Sequence, residues 1–363
     1  MIRNNSVSSD IIAVFDEKQT TLDEFRTLLF DVARGDLQAG VTKKEADEKI
    51  CMMFNALYGF DKKPTIREAE RALRKNPYIA FEVIEEVVPN LLQSGWDANP
   101  FMNEFAEIRN LAIGDTAVFY TEEPMILNVA RLSADHWDMP RQRIKPKERF
   151  TVQTDAYGAA VYAEFARLMA GFESWSELVG MIAKAFMERM NNEVYAAFLA
   201  ALTQLPTQFQ ITVDTTAPDL GREALLTLIE DVERSTGFGA TIIGTKTGLA
   251  KLRKLDEIQW IANSMKEELY ETGRQGLWYG VPLMELKQIN KLNTTTKMFD
   301  DNKLMVLPRA ENKFIKIVNE GEAMIREVND GVTNQDMTSD YRYIQRFGVA
   351  VVLGLQFGSV ALQ

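Results

Sequence analysis

The stretch SWSELVGMIAKAFMERMNNEVYAAF, from Ser174 to Phe198, decides the fold. Its apolar residues recur at steps of three and four positions, which is the period of an amphipathic helix with one buried face. Ser174 and Glu177 have the spacing of a capping box and place the first turn. A helix of about 28 residues would be roughly 42 Å long, too long for a small domain. The predicted buried face consists of Trp175, Leu178, Val179, Ile182, Phe186, Met190, Val194 and Phe198.

Strand-like sequence leads into this helix. The segments TAVFYTEEPMILNVARLS, from Thr116, and RFTVQTDAYGAAVYAEF, from Arg149, are rich in β-branched and aromatic residues. The polar, proline-bearing segment ADHWDMPRQRIKPKER joins them. We predict a long two-stranded arm with a charged tip. Because an isolated ribbon of this kind is marginal in water, we expect the arm to lie on another subunit.

Basic residues alternate along the returning side of this arm. Five of them occupy every second position, which puts all five on one face of a strand. This face could bind nucleic acid, or it could form salt bridges with acidic residues of a partner subunit. The stripe has no aromatic residue and the chain has a net charge of −11, and both facts favour the partner subunit. The predicted interface residues are Trp137, Arg141, Arg143, Lys145, Lys147 and Arg149.

The composition excludes several kinds of site. His136 is the only histidine, which removes Ser-His-Asp triads and most zinc sites. Cys51 is the only cysteine, so the chain holds no internal disulfide and suits a reducing cytosol. The N-terminal sequence has no signal-peptide pattern. The longest uncharged run, FGVAVVLGLQFGSVALQ, is shorter than a membrane-spanning helix and indicates a buried strand.

Two groups of acidic residues are weak candidates for chemistry. Asp135, His136 and Asp138 offer three potential metal ligands, but nothing else in the sequence supplies a fourth ligand. The glutamates of EVIEEVV, at 82–88, would need burial to separate their pKa values for acid–base work. On an amphipathic helix such glutamates more often form the solvent-facing side. We therefore predict no metal, no cofactor and no enzymatic activity.

The segment GATIIGTKTG, from Gly239 to Gly248, resembles a phosphate-binding loop only in part. A P-loop needs Gly, four residues, and then Gly-Lys-Ser/Thr in direct succession. Here Thr245 separates Gly244 from Lys246, and strand-like residues lie inside the supposed loop. We predict instead a strand that turns into a helix, with Thr245 as the N-cap.

Short helices with clear starts occupy the first hundred residues. TLDE, TKKE and TIRE, from Thr21, Thr42 and Thr65, each have the spacing of a capping box. Cores of this size are rarely stable alone, so we expect the segment to lie against something larger. After about residue 210 a compact α/β segment follows. The last fifty residues indicate long strands that return to pack on the helix at 174–198.

The order of these parts resembles the major capsid protein of tailed double-stranded DNA bacteriophages, which has the Hong Kong 97-like fold. The resemblance covers about residues 100–363 and is strongest in FTVQTDAYGAAVYAEFARLMAGFESWSELVGMIAKAFMERMNNEVYAAFLAAL, where the arm enters the long helix. It implies an α+β fold with four parts. These are a helical N-terminal arm at 1–110, an extended β-hairpin loop at 111–165, a peripheral domain with the spine helix at 166–210 and 313–363, and an axial domain at 211–312.

The same resemblance implies the function and the partners. The chain would be a structural subunit that assembles with copies of itself into hexamers and pentamers of an icosahedral head, and that encloses double-stranded DNA without sequence-specific binding. Portal, scaffolding and decoration proteins would be its partners, in the virion and, during assembly, in the host cytoplasm. The alternative is an encapsulin nanocompartment shell, although encapsulins have a much shorter N-terminal segment. Some relatives lose that segment to a protease; here we expect it to be retained.

Charge reversal in the arm tests the interface interpretation. In the double variant Arg143→Glu, Lys145→Glu, like charges would face the acidic groups of the neighbour, so capsomers should fail to join while the subunit stays folded. Circular dichroism would report the fold and electron microscopy the particles. Normal particles from this variant would contradict the interpretation.

Overall fold

The structure is a computed structural model and describes residues 22–37, 41–75, 79–121, 148–163, 165–255, 276–328, 339–352 and 356–363. Helices come first: α1 (Leu22–Arg34), α2 (Lys43–Leu57), α3 (Ile66–Lys75), α4 (Ile79–Asp97) and α5 (Pro100–Phe105). Strands follow: β1 (Ala106–Leu111), β2 (Val118–Thr121), β3 (Glu148–Thr151) and β4 (Asp155–Ala163). Next are the helices α6 (Phe165–Ala170) and α7 (Trp175–Thr203).

The second half alternates strands and helices before it ends in strands. It contains β5 (Gln210–Val213), α8 (Pro218–Thr236), β6 (Ala240–Gly244), α9 (Lys246–Leu252), β7 (Leu277–Trp278), β8 (Val281–Glu285) and β9 (Lys303–Pro308). The closing strands are β10 (Ile315–Val328), β11 (Ser339–Val351) and β12 (Gly358–Leu362). The predicted α+β class is confirmed. Among the described helices, none has both the length and the apolar character needed to cross a lipid bilayer.

The described strands form three sheets. A four-stranded sheet has the order β1-β10-β11-β4, a six-stranded sheet the order β5-β12-β9-β6-β8-β7, and β2 and β3 form a separate ribbon. The pairs β1–β10, β5–β12 and β6–β8 are parallel, and the other pairs are antiparallel. The four-stranded sheet contributes to one large hydrophobic core, and the six-stranded sheet contributes to that core with one face and to a second core with the other.

The long helix α7 has the length and the buried face that the sequence predicts. It spans 29 residues, and its N-cap Ser174 accepts a hydrogen bond from the amide of Glu177. All eight residues of the predicted buried face are buried. The helix packs on β11, where the rings of Phe186 and Tyr343 meet edge to face with centroids 4.6 Å apart. The predicted contact between the closing strands and this helix is confirmed.

The N-terminal helices share one hydrophobic core with α7. Phe54 of α2 stacks on Trp175 with ring centroids 4.3 Å apart, and Phe25 of α1 meets Phe54 at 5.2 Å. On the polar side, the carboxylate of Asp47 accepts hydrogen bonds from the hydroxyls of Ser174 (2.9 Å) and Ser176 (2.5 Å). The expectation that the first hundred residues lie against something larger is therefore confirmed for the described helices.

The predicted helix starts are observed where the structure describes them. Thr42 and Glu45 form a complete capping box at α2. At α3 the box is partial, because Glu68 accepts hydrogen bonds from the amide (2.9 Å) and the hydroxyl (2.8 Å) of Thr65. Thr21 lies outside the described residues.

The last strand, β12, differs from the sequence expectation, which placed all of 313–363 with the spine helix. It pairs with β5 and β9 in the six-stranded sheet. Val360 and Leu362 are buried in the core of that sheet. A Cβ atom on Gly358 would lie 2.8 Å from a methyl carbon of Leu228 in α8, so the strand approaches that helix closely. The sequence of a short apolar strand such as β12 is compatible with either of the two larger sheets. Its place is decided by β5 and β9, which are distant from it in the chain.

The shared core predicts a large cost for truncating Phe54, whose side chain is fully buried. Phe54→Ala should lower the free energy of unfolding of the unassembled subunit by about 3–5 kcal/mol. The matched control is Phe172→Ala, because Phe172 is 78% exposed and its loss should change stability by about 0.5 kcal/mol or less. Urea unfolding would measure both. Equal small effects would contradict a common core for α2 and α7.

Candidate assembly site at the root of the arm

The strands β2 and β3 form the root of the predicted arm. Their register pairs Val118 with Thr151 and Thr121 with Glu148. Arg149 lies in β3 opposite Tyr120 and is exposed. The other predicted interface residues, Trp137, Arg141, Arg143, Lys145 and Lys147, lie outside the described residues, as do Asp135, His136 and Asp138. Their proposed roles stay predictions.

A small apolar cluster joins this ribbon to the four-stranded sheet. Phe119 of β2 and Val152, directly after β3, are buried against Val318 of β10. The rings of Phe119 and Phe150 stack with centroids 5.6 Å apart. The guanidinium of Arg109 in β1 lies 4.4 Å from the centroid of the Phe119 ring, so a cation–π contact adds to the burial. The root is therefore held by the body of the subunit.

A buried lysine lies beneath this cluster. Lys316 of β10 is 1% exposed, and its ammonium lies 5.3 Å from the centroid of the Phe119 ring. It forms an ion pair with Glu107 of β1 and donates a hydrogen bond to the side chain of Asn312 at 2.7 Å. Partial burial raises the pKa of Glu107, but hydrogen bonds from Lys316 and Arg109 outweigh this and lower it overall. The carboxylate therefore stays charged and compensates the buried ammonium.

Glu320 of β10 binds both ends of the ribbon. Its carboxylate accepts a hydrogen bond from the amide of Gly114, before β2, at 3.1 Å. It also accepts one from the hydroxyl of Thr154, after β3. Arg346 of β11 is 3.5 Å from the same carboxylate. The hydrogen bond from Thr154, followed by that from Gly114, lowers the pKa of Glu320, so the group is ionised when it binds the two ends.

The backbone geometry around Glu320 fixes the ribbon against the sheet. The β10–β11 register shifts between Glu320 and Met324, which marks a β-bulge where the ribbon departs. Gly321, in the bulge, has φ of +75°. A Cβ atom on Gly348 of β11 would lie 2.1 Å from the carbonyl oxygen of Gln153, so only glycine permits this approach. These contacts make the root a defined junction between the arm and the sheet.

The segment GATIIGTKTG forms the strand, turn and helix that the sequence predicts. β6 ends at Gly244, and the hydroxyl of Thr245 accepts a hydrogen bond from the amide of Gly248 at 3.2 Å. The same hydroxyl donates to Asp301 at 2.9 Å. A Cβ atom on Gly244 would lie 2.4 Å from a methyl carbon of Leu304, so close packing accounts for this glycine. The prediction of Thr245 as N-cap is confirmed.

The glutamates of EVIEEVV differ from the expectation that they form a solvent-facing side. Glu82, Glu85 and Glu86 are all half-buried on α4. Glu86 forms an ion pair with Arg26 of α1, whose side chain is 2% exposed. The physical reason is that α1 covers this side of α4 and brings a guanidinium that a carboxylate must neutralise. Glu86 therefore joins two helices of the N-terminal segment.

The spine helix, the arm root and the two sheets all fall within one family match. The family described as "SPbeta prophage-derived putative capsid protein YonB" matches residues 41–361. The chain belongs to this family. The predicted resemblance to phage capsid proteins is thereby confirmed, and the protein is a structural subunit of a phage-type shell. No curated protein matches this capsid protein in sequence.

Solved phage shells resemble this capsid protein at low sequence identity. The mature capsid of bacteriophage PhiM1 has 14% identity and a TM-score of 0.49, with 73% of this chain and 87% of that chain covered. The capsid of cyanophage P-SCSP1u has 13% identity and a TM-score of 0.48, covering 72% and 88%. The procapsid of satellite phage P4 with its size determination (Sid) protein has 10% identity and a TM-score of 0.48, covering 81% and 98%.

Sequence reasoning did not find Glu320 or Lys316. Neither residue belongs to a local motif, because their partners Gly114, Thr154 and Glu107 are distant in the chain. A charged residue within a strand of apolar alternation, as at Lys316 in FIKIV, was the available signal. It points to a buried ion pair only when the strand is known to be covered on both faces.

Glu320→Gln tests the junction. The amide oxygen of glutamine can still accept one hydrogen bond but offers no charge, so β2 and β3 should exchange their amide hydrogens faster than in the wild type. Hydrogen exchange with mass spectrometry would measure this. The control Glu193→Gln removes a half-buried carboxylate that pairs with Arg189 within α7, and it should leave β2 and β3 unchanged.

The pH dependence of the same pair has a defined sign. Because the folded-state pKa of Glu320 is lowered, its stabilisation is present above the unfolded pKa of about 4.3 and is lost as pH falls through the folded value. Wild type and Glu320→Gln, compared at the same pH, should therefore converge in acid. A difference in exchange that stays constant down to acid pH would contradict the role of the charge.

Proposed function

We propose that the protein is the major shell subunit of a tailed-phage head, which assembles into hexamers and pentamers and encloses double-stranded DNA. The observation that carries this proposal is the family match over 41–361, which spans the arm root, the spine helix and both sheets. Its described source is a prophage, which favours a phage head over an encapsulin shell. The subunit's role is structural, and we propose no catalytic step for it.

The arm is the proposed bridge between subunits. Residues 122–147 leave the ribbon after Thr121 and return at Glu148, which is paired with it. Glu320 and the Phe119 cluster hold the chain before β2 and after β3. A force on the arm is therefore transmitted to the four-stranded sheet. We propose that Trp137 docks on the neighbouring subunit and that the basic stripe contacts its acidic groups. That stripe is Arg141, Arg143, Lys145, Lys147 and Arg149.

The N-terminal helices are proposed to stay in the mature subunit. Their side chains, such as Phe54 against Trp175, complete the core on one side of α7. Removal of residues 22–105 would expose that core to water at about 25 cal/mol for each Å² of apolar surface. A protease cut within this segment would therefore destabilise the shell subunit. This supports a retained N-terminal segment.

The parts of the chain take proposed positions in the shell. Within the hairpin loop of 111–165, the part beyond the β2–β3 ribbon lies between subunits, whereas β4 belongs to the subunit's own four-stranded sheet. The peripheral domain of 166–210 and 313–363 lies towards the capsomer edge, and the axial domain of 211–312 lies around the symmetry axes. The strand β12 joins the axial domain to the peripheral one, because it pairs within the six-stranded sheet. Portal, scaffolding and decoration proteins are the proposed partners, in the virion and, during assembly, in the host cytoplasm.

Negative-stain microscopy with light scattering, on the protein expressed alone, tests this function. Closed shells, tubes or free hexamers and pentamers are expected, and intact mass should show that their subunits retain residues 22–105. Uniform small empty spheres would favour an encapsulin. A strict monomer or dimer at high concentration, also after co-expression with phage assembly factors, would contradict the proposal.

A further inference from the structure

We infer that the basic face of helix α3 binds the phosphate backbone of double-stranded DNA, without reading its sequence. This rests on the proposed function, because it assigns a surface of the subunit to the enclosed genome. Residues 61–75, DKKPTIREAERALRK, hold six Lys or Arg against three Asp or Glu, in a chain with a net charge of −11. The segment therefore has the opposite sign of charge to the protein around it.

The geometry of α3 collects these charges on one face. Arg67, Arg71 and Lys75 follow one another at steps of four residues, so they lie in a row along the helix, and all three are exposed. Ala69 is two residues from Arg67, which places it on roughly the opposite side, and it is fully buried. The helix is thus anchored by one face and presents the basic row to solvent. Lys62 and Lys63, just before the helix, are also exposed.

The cations of this face form no close ion pair among the described residues. No ion pair is present there for Arg67, Arg71 or Lys75, nor for the two preceding lysines. Hydrogen bonds from Thr65 at the helix start lower the pKa of the nearby Glu68, and the charge of Arg71 adds a smaller effect. Arginines of other helices do have acidic partners three or four residues away. These pairs are Arg189 with Glu193 at 2.5 Å, Arg222 with Asp219 at 2.7 Å, and Arg234 with Asp231 at 2.6 Å.

The row carries a repulsion that a polyanion would relieve. Arg67 and Arg71, and then Arg71 and Lys75, are like charges four residues apart, an arrangement that destabilises a helix. Guanidinium groups match phosphate oxygens with two parallel hydrogen bonds, and a row of them follows a phosphate chain. Neutralised phosphates release counterions, which supplies the affinity.

The chemistry of the face favours DNA over an acidic protein. The centres of protein interfaces are enriched in aromatic residues and depleted of charge. Residues 61–75 contain no aromatic residue, and Ile66 is the one exposed large hydrophobic side chain in the described part of the segment. Without aromatic residues to stack on bases, the contact is limited to the backbone of the duplex. Helix α3 would therefore lie on the side of the shell that faces the genome.

A salt series of DNA binding tests the inference. The full-length, unassembled protein would be titrated onto a short labelled duplex of mixed sequence, and Kd would be followed by fluorescence anisotropy. In the variant Arg67→Gln, Arg71→Gln, Lys75→Gln, the slope of log Kd against log salt should fall by about 2.7, at about 0.9 for each lost phosphate contact. At ~0.1 M salt this corresponds to a Kd weaker by about 500-fold.

A matched variant controls for net charge. Arg34→Gln, Lys184→Gln, Arg234→Gln removes two arginines and one lysine from exposed positions elsewhere and should leave the slope unchanged. Equal losses in both variants, or no binding by the wild type at low salt, would overturn the inference. So would displacement of the DNA by polyglutamate at equal charge, because the face would then suit an acidic protein.

Particle formation is scored separately, so that the two proposals fail independently. Shells from the wild type without DNA binding by its subunits would remove the DNA inference and leave the shell function standing. A wild type that binds DNA through α3 but never forms shells or capsomers would remove the shell function. The α3 variant should still form shells, because none of its three changed side chains belongs to the hydrophobic core.

Discussion

The stacking of Phe54 on Trp175 is the contact on which the rest of the subunit depends. Trp175 is the first residue of the spine helix, so this contact joins the N-terminal helices to the element that organises both the core and the four-stranded sheet. Stacked aromatic pairs add about 0.5–1.5 kcal/mol beyond the area that they bury. Asp47, which accepts from Ser174 and Ser176, fixes the same helix start from the polar side. The spine helix is thus held at its origin by residues from the N-terminal segment.

The arm depends on that rigidity. A two-stranded ribbon alone is only marginally stable in water. Before assembly, the subunit must therefore hold its arm in a fixed direction without the neighbouring subunit that will cover it. Glu320 holds the ribbon by binding the chain before β2 and after β3. The buried Lys316, paired with the partly buried Glu107, lies beneath the ring of Phe119. Loss of the Glu107 carboxylate would leave the buried ammonium of Lys316 without its counter-charge, so the root has one preferred arrangement.

The elements that local sequence controls were predictable, and the contacts between distant segments were not. The face of α7, the Thr42 capping box and the N-cap Thr245 each depend on residues within a few positions, and the periodicity or spacing reveals them. Glu320 meets Gly114 and Thr154 only after the sheet has formed. The sheet that β12 joins and the ion pair of Glu86 with Arg26 likewise follow from long-range packing. The interface residues of the arm rest on the charge pattern and remain predictions.

A cryo-electron microscopy map of assembled particles is the most direct test of the central claim, that one rigid subunit carries its own N-terminal helices and extends its arm onto a neighbour. We predict density for residues 22–105 against the spine helix of the same subunit, and an arm that leaves the junction at Glu320 and lies on the adjacent subunit. Shells in which the spine helix lacks the N-terminal helices, or in which the arm folds back on its own subunit, would contradict it.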